Sequence, residues 1–250
     1  MASCSPSRST RREPKPSPTL SSAFPRQPER KSTMPSSPRD SALLVSPMNW
    51  KPLGPEDLIG QAARVAKAQV TKARRLASGE RPSASMKLLL YGPPGVGKTS
   101  VVEMVARELT GSALAVEDFN GREVTVEVVR EWMRSLAYGS LFSRWSVRIV
   151  NELDRCSREA QDLLLTYLDR LPPGRALLGT SNLQLDLLTE RFQTRFQAVK
   201  LLPPETEELA EFLVARWPVP KPTALQIAVG SGGCVRAALA DLESWLDSRP

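Results

Sequence analysis

Residues 92–99 read GPPGVGKT and match the pattern G-x-x-x-x-G-K-[ST]. In full, the stretch is Gly92, Pro93, Pro94, Gly95, Val96, Gly97, Lys98 and Thr99. An apolar run at 87–91 predicts a strand directly before it, and residues 98–109 predict a helix directly after it. A glycine-rich turn in this position can wrap its N–H groups around an anion, at the positive end of the helix dipole. The sequence therefore predicts a phosphate-binding loop.

The loop residues, followed by Ser100, are predicted to bind the phosphates of ATP. Lys98 is expected to contact the β- and γ-phosphates. The Thr99 hydroxyl is expected to be a ligand of Mg²⁺. ATP and Mg²⁺ are therefore the predicted cofactors.

A second motif ends the apolar strand predicted at 147–151, where Asn151 is followed by Glu152. A carboxylate in this position can polarise an attacking water, which is the role predicted for Glu152. Asn151 stands where the usual pattern has an aspartate, and we predict that it hydrogen-bonds a water of the magnesium shell. Because Asn151 lacks the charge, weaker Mg²⁺ binding and slower hydrolysis are expected. Asp154 could instead pair with a basic group, and the sequence leaves that open.

Strand and helix patterns alternate through the middle of the chain, which predicts a doubly wound parallel α/β sheet. The further strands are expected at 114–117, 147–151, 176–180 and 198–202, and the further helices of this part at 62–76, 124–136 and 158–171. After Pro203 and Pro204, helices at 205–216, 223–229 and 235–247 predict a small helical lid. The expected organisation is a tail at 1–49, a core at 50–203 and a lid at 204–250.

The first 50 residues contain 12 Ser and 9 Pro, and their 8 Lys/Arg against 3 Asp/Glu supply most of the net charge of +7. We predict that this tail is disordered, because it has too few apolar residues to offset the entropy of ordering. A misplaced start ahead of Met34 or Met48, a basic arm on nucleic acid and an organelle transit peptide are the alternatives. The basic pI is thus weak evidence for nucleic-acid binding by the folded part.

The chain has no His, and its 3 Cys lie far apart. Zinc sites of the usual kind and Ser-His or Cys-His nucleophile pairs are therefore not expected. No apolar stretch is long enough for a signal peptide or a membrane span. We expect an intracellular (cytoplasmic), soluble protein with no membrane partner.

With further motifs the chain resembles the AAA+ ATPase superfamily over about residues 50–248, and within it clamp-loader small subunits and Holliday-junction branch-migration ATPases. The resemblance implies that Ile59 and Gly60 contact the adenine. It implies that Asn182, which ends the strand at 176–180, orients the attacking water as sensor 1. Arg195 is similar to the family's arginine finger, with Arg191 as the competing residue, and Arg236 is similar to the sensor 2 arginine of the lid.

This resemblance implies ATP hydrolysis in a ring of identical or related subunits, with DNA and a sliding-clamp-like protein as further partners. Arg155 and Arg158 are the residues expected to touch DNA, with plain solvation as the alternative. The chain ends near the lid without a clamp-loader collar or zinc module, which favours a minimal AAA+ protein. An ATP-sensing scaffold or inactive ring subunit is the alternative, because of Asn151. A small-molecule kinase is disfavoured.

Three aromatic residues follow the predicted second strand. Trp132, Phe142 and Trp145 are expected to pack in the core.

Overall fold

The computed structural model describes residues 46–80, 84–138, 143–182 and 190–248. Of the tail predicted at 1–49, residues 46–49 belong to this set, and the rest lies outside the described residues. Phe142 also lies outside them.

Five strands of the described residues form one sheet: β1 (Met86–Tyr91), β2 (Val116–Asn120), β3 (Ser146–Asn151), β4 (Arg175–Ser181) and β5 (Gln197–Lys200). Their order is β2-β3-β4-β1-β5, and every neighbouring pair is parallel. Since parallel neighbours need crossover connections, helices cover both faces.

The helices of the sheet region are α1 (Gly60–Ala77), α2 (Lys98–Thr110), α3 (Val126–Ser135), α4 (Arg158–Asp169) and α5 (Glu190–Arg195). Those that follow the sheet are α6 (Thr206–Arg216), α7 (Lys221–Gly230) and α8 (Val235–Asp247). Side chains cap several of these helices at the N-terminus. Thr125 accepts a hydrogen bond from the Val128 N–H at 3.3 Å, and Ser157 accepts one from the Ala160 N–H at 3.2 Å. Such caps satisfy backbone donors that have no partner inside the helix.

Successive residues of β1 divide between two hydrophobic clusters, because side chains alternate across a strand. Leu88 and Leu90 pack with residues of α1 and α2 on one face of the sheet. Leu89 packs with residues of α3, α4 and α5 on the other face, where Trp132 also lies. Trp145 is buried in the first cluster. The predicted doubly wound fold, followed by a small helical lid, is confirmed.

A third hydrophobic cluster joins α6, α7 and α8 and takes in Trp50. The Trp50 ring meets Phe212 edge-on, with centroids 5.4 Å apart. Just before it, residues 47–49 form a 3₁₀ turn, and Ser46 Oγ donates to the Glu243 carboxylate at 2.6 Å. Glu243 Oε2 also accepts a hydrogen bond from the Met48 N–H at 2.9 Å, and the bonds from Ser46 and Met48 lower the pKa of Glu243. Residues 46–50 therefore form a strap across α8, although the sequence places most of them in the tail.

Two elements differ from the sequence expectations. The strand expected at 114–117 runs from Val116 to Asn120, because residues 113–115 first form a 3₁₀ turn behind the Ser112 cap. The last strand ends at Lys200 rather than at 202, and the short helix Glu190–Arg195 precedes it. None of the described helices combines the length and apolar character that crossing a bilayer requires.

Arg148 of β3 is a buried charged residue that lies against the cluster containing Trp132. Its guanidinium donates to Glu117 Oε2 at 2.7 Å, Tyr167 Oη at 2.9 Å and Ser135 Oγ at 3.0 Å. It also lies 5.1 Å from the centre of the Trp132 ring. Hydrogen bonds to all three partners compensate its burial.

Arg148→Met should lower the free energy of unfolding by about 2 kcal/mol, since Tyr167 and Ser135 lose a buried partner. Urea denaturation would measure it. Arg130→Met, at an exposed position on α3, is the matched control and should change stability by less than about 0.5 kcal/mol. Equal effects of the two substitutions would contradict a structural role for the buried cation.

Candidate functional site: a phosphate-binding loop between core and lid

The loop at 92–97 leaves the carboxyl end of β1 and enters α2. Gly95 has φ +77°, which favours glycine, and a Cβ there would lie 2.2 Å from Cys234 Sγ. The Gly95 carbonyl accepts a hydrogen bond from the Val235 N–H at 3.1 Å, so the first residue of α8 is joined to the loop. Of the other loop residues, Val96 is buried and Pro94 is exposed.

Lys98 is largely buried at the start of α2, and its ammonium donates to the carbonyls of Gly92 at 3.0 Å and Pro93 at 2.7 Å. No carboxylate of the described residues pairs with it within ion-pair distance. Burial lowers the pKa of Lys98; Asp154 opposes this shift and Arg236 adds to it. A buried cation bound only to carbonyls fits an anionic ligand such as a nucleotide phosphate.

Asn151, at the end of β3, lies within a hydrogen-bonded network. Its Oδ1 accepts from Thr99 Oγ1 and from Thr180 Oγ1, both at 3.2 Å. Its Nδ2 donates to Asp118 Oδ1 at 2.9 Å. Burial raises the pKa of Asp118, which the hydrogen bond from Asn151 opposes. Hydroxyl, amide and carboxylate oxygens can be ligands of Mg²⁺ or hydrogen-bond its bound waters, so these residues fit the predicted ion.

Glu152 has φ +56° and is the single non-glycine residue with positive φ among the described residues. Its Oε1 accepts from Asn182 Nδ2 at 3.3 Å, and its Oε2 lies 3.1 Å from Arg155 Nε. The structure thus brings together Glu152 and Asn182, which were predicted as site residues from separate motifs. A left-handed conformation in a bulky residue costs about 1–3 kcal/mol and is often found at functional sites.

Asp154 accepts the Asn182 N–H at 3.1 Å, which orients the end of β4. Arg155 pairs with Glu152, and Arg158 begins α4 as an exposed residue. The buried neighbour Cys156 is not suited to act as a nucleophile, because burial raises the pKa of its thiol to about 12.

Arg236 and Arg195 lie in different places. Arg236, on the first turn of α8, lines the cavity beside the loop. Arg195, at the end of α5, makes a two-pronged ion pair with Asp169, with Nε–Oδ1 at 2.8 Å and Nη2–Oδ2 at 2.9 Å. Its Nη1 also donates to the Arg191 carbonyl at 3.2 Å. Within the described residues, none of these contacts involves the phosphate-binding loop.

A cavity of about 350 Å³ lies beside the loop, between core and lid. Ile59 lines it, as do Gly97 and Ser100. Gly60 starts α1 next to it, yet is not among the lining residues; a Cβ there would lie 3.4 Å from Pro204 Cα. The apolar lining also includes Trp50 and Phe212, which belong to none of the predicted motifs. An apolar slot of this size that opens onto the predicted phosphate-binding loop fits a nucleoside.

Residues 88–204 match the family model described as "ATPase family associated with various cellular activities (AAA)". This part of the chain is similar to the AAA family of ATPases. "Probable replication factor C subunit 5" of Dictyostelium discoideum is 28% identical over 168 residues, or 63% of this chain and 48% of that protein. "Replication-associated recombination protein A" of Bacillus subtilis is 30% identical over 119 residues, or 48% of this chain and 25% of that protein.

A solved structure of a point variant of Thermotoga maritima RuvB aligns with a TM-score of 0.59 at 22% identity, covering 76% of this chain and 63% of that chain. At this identity the likeness concerns the fold. The chain spans about half or less of the length of the two curated relatives above. The predicted resemblance to AAA+ proteins is confirmed, with a replication factor C subunit among the similar proteins and RuvB among the similar structures. The roles of the individual site residues stay predictions.

Gly121→Ala should displace Glu152, because a Cβ at residue 121 would lie 2.1 Å from the Glu152 carbonyl oxygen. We expect the free energy of unfolding to fall by about 1–3 kcal/mol, measured by urea denaturation. Gly230→Ala is the control: it lies at the end of α7 with open space around it, and should be neutral or stabilising by up to about 1 kcal/mol. If both variants were equally stable, close packing of Gly121 on Glu152 would be refuted.

Proposed function

We propose that this chain is an AAA ATPase that binds ATP with Mg²⁺ between its core and lid and hydrolyses it at the interfaces of an oligomer. The observation that carries the proposal is the convergence of three groups at one edge of the sheet. These are the buried Lys98 ammonium, the Thr99–Asn151 pair and the Glu152–Asn182 pair. They lie at the carboxyl ends of three parallel strands: Lys98 and Thr99 follow β1 through the loop, Asn151 ends β3 and Glu152 comes directly after it, and Asn182 follows β4.

Lys98 would exchange its two carbonyl partners for phosphate oxygens, and the N–H groups of the loop would hold the same phosphates. Bound Mg²⁺ supplies positive charge at the phosphate oxygens. Glu152 would accept a proton from the attacking water or orient it, while Asn182 keeps the carboxylate in place through its 3.3 Å hydrogen bond. Ile59 and the apolar residues around it would hold the base.

The position of Arg195 supports a site shared between subunits. Its guanidinium is held by Asp169, which lies at the end of α4, and has no contact with its own loop in the described part of the chain. We propose that it completes the site of a neighbouring subunit, where an arginine stabilises charge on the transferred phosphoryl group. Arg236, which lines the cavity of its own chain, would act in cis.

DNA replication or repair is the process that we propose, because the similar proteins are named for replication and recombination. DNA, a sliding-clamp-like protein and other AAA subunits are the partners proposed. We also retain the expectation of an intracellular location. The alternative function is an ATP-sensing scaffold or inactive ring subunit, favoured by the missing charge at Asn151. Tight ATP binding without turnover at any chain concentration would support that alternative.

Specific ATPase activity should rise with chain concentration, and Glu152→Gln and Arg195→Ala should each reduce it by about 10³ or more. An equimolar mixture of the two variants should regain activity. One variant brings the intact arginine and the other the intact carboxylate, and the two meet at a mixed interface. Steady-state phosphate release measures the concentration dependence, the activity of each variant and the activity of the mixture. Arg130→Ala, an exposed arginine on α3, is the control and should behave as the unaltered chain.

Activity independent of concentration, or a mixture as inactive as its components, would refute the shared site. Loss of activity in the Arg130→Ala control would show that the effect of Arg195 is not specific.

Primed DNA should bind the chain at low salt, and its association constant should fall as salt rises, because phosphate contacts release counterions. Replacing both Arg155 and Arg158 with Ala should reduce the slope of log K against log salt by about 2. Fluorescence anisotropy between 50 and about 200 mM salt gives the slope. Absent binding at the lowest salt, or a salt-independent constant, would rule out the proposed DNA contact.

A further inference from the structure

Asp118 accounts for the orientation of the Asn151 amide. An ionised carboxylate only accepts hydrogen bonds, so the amide nitrogen must face Asp118, at 2.9 Å. The amide oxygen then faces the Thr99 and Thr180 hydroxyls. With Asp118 in place, the reversed amide would set an oxygen against the carboxylate. The oxygen at position 151 is therefore held toward the proposed magnesium ligand Thr99.

The strand register explains why this carboxylate reaches Asn151. β2 and β3 are parallel, and Asp118 is the partner of Ile149, two residues before Asn151. Since side chains alternate along a strand, residues 118, 149 and 151 lie on the same face of the sheet. Ile149 packs in the cluster that contains the α2 side chains, so this is the face under Thr99 and the phosphate-binding loop.

We propose that Asp118 is a positioning residue of the magnesium site: it orients Asn151 and supplies, from the neighbouring strand, the negative charge that Asn151 lacks. This inference rests on the proposed function, because it requires that Thr99 and Asn151 serve a nucleotide bound with Mg²⁺. The carboxylate acts through Asn151, and no direct contact with the ion is required.

The pair also makes Asn151→Asp alone unfavourable. Two carboxylates would then face each other where a 2.9 Å hydrogen bond now lies, and like charges at such a distance repel. Combining Asp118→Asn with Asn151→Asp restores one amide and one carboxylate, with the charge moved to β3. The exchange keeps both the hydrogen bond and the net charge.

The first experiment titrates the 250-residue chain with a fluorescent ATP analogue, once in EDTA and once at increasing Mg²⁺. In Asp118→Asn, metal-free nucleotide should bind about three- to tenfold more tightly, because a negative charge near the phosphates is gone. The Mg²⁺ concentration that gives half of its full effect on nucleotide binding should rise by about the same factor. These opposite shifts identify a charge effect, since a loosened fold would weaken both. Asp162→Asn, which removes an exposed carboxylate from α4, should change neither.

The second experiment measures thermal unfolding without nucleotide. Asn151→Asp should lower the midpoint by about 2–4 °C, and adding Asp118→Asn should recover it. The double variant should also return the half-maximal Mg²⁺ concentration to within about twofold of that of the unaltered chain.

An unchanged Mg²⁺ requirement in Asp118→Asn, a parallel weakening of both affinities, or no recovery in the double variant would each overturn the role of Asp118. These results leave nucleotide binding by the unaltered chain intact, so the proposed function would stand. If the unaltered chain bound no nucleotide at any Mg²⁺ concentration, the proposed function would fail, and this inference would fail with it.

Discussion

The parallel hydrogen-bonded register of the three central strands is the constraint on which the site depends. β4 pairs with β1 on one side and with β3 on the other, which aligns Tyr91 with Ser181 and Val150 with Gly179. Parallel strands end at the same edge of the sheet, so the groups that follow them are neighbours. The Gly92 N–H even donates to the Ser181 carbonyl at 3.3 Å, which attaches the start of the loop to β4. Without this register, the groups around Lys98, Asn151 and Glu152 would not meet.

Much of the fold could be predicted from the chain because its signals are local. The apolar run of β1, the glycines after it and the helix pattern from Lys98 each depend on a few consecutive residues. The β2 strand was placed too early because Leu114 is apolar, yet its side chain is exposed and the strand begins at Val116. Apolar character alone does not separate a 3₁₀ turn from the start of a strand.

The sequence predicts the motif residues of the site, but it does not predict the residues that contact them. The motif residues were found because their chemistry and spacing are specific, whereas partners from other elements give no sequence signal. Asp118 on an outer strand and Trp50 in the strap are examples: neither belongs to a recognisable motif, and only the packing shows what they touch. For the same reason, the sequence suggested only a lost charge at Asn151 and could not indicate the carboxylate beside it.

One hydrogen bond, from the Val235 N–H to the Gly95 carbonyl, ties the first residue of α8 to the phosphate-binding loop. Glu243, which holds Ser46, lies eight residues further along that helix, or roughly 12 Å at the rise of an α-helix. A helix is stiff over such a length, so α8 would move as a rigid body if its first residue shifted at the loop. A tilt of about 10° at Gly95 would move the Glu243 end by about 2 Å. A small tilt of α8 at the loop would therefore produce its larger displacement at the strap, where Ser46 is bound to Glu243.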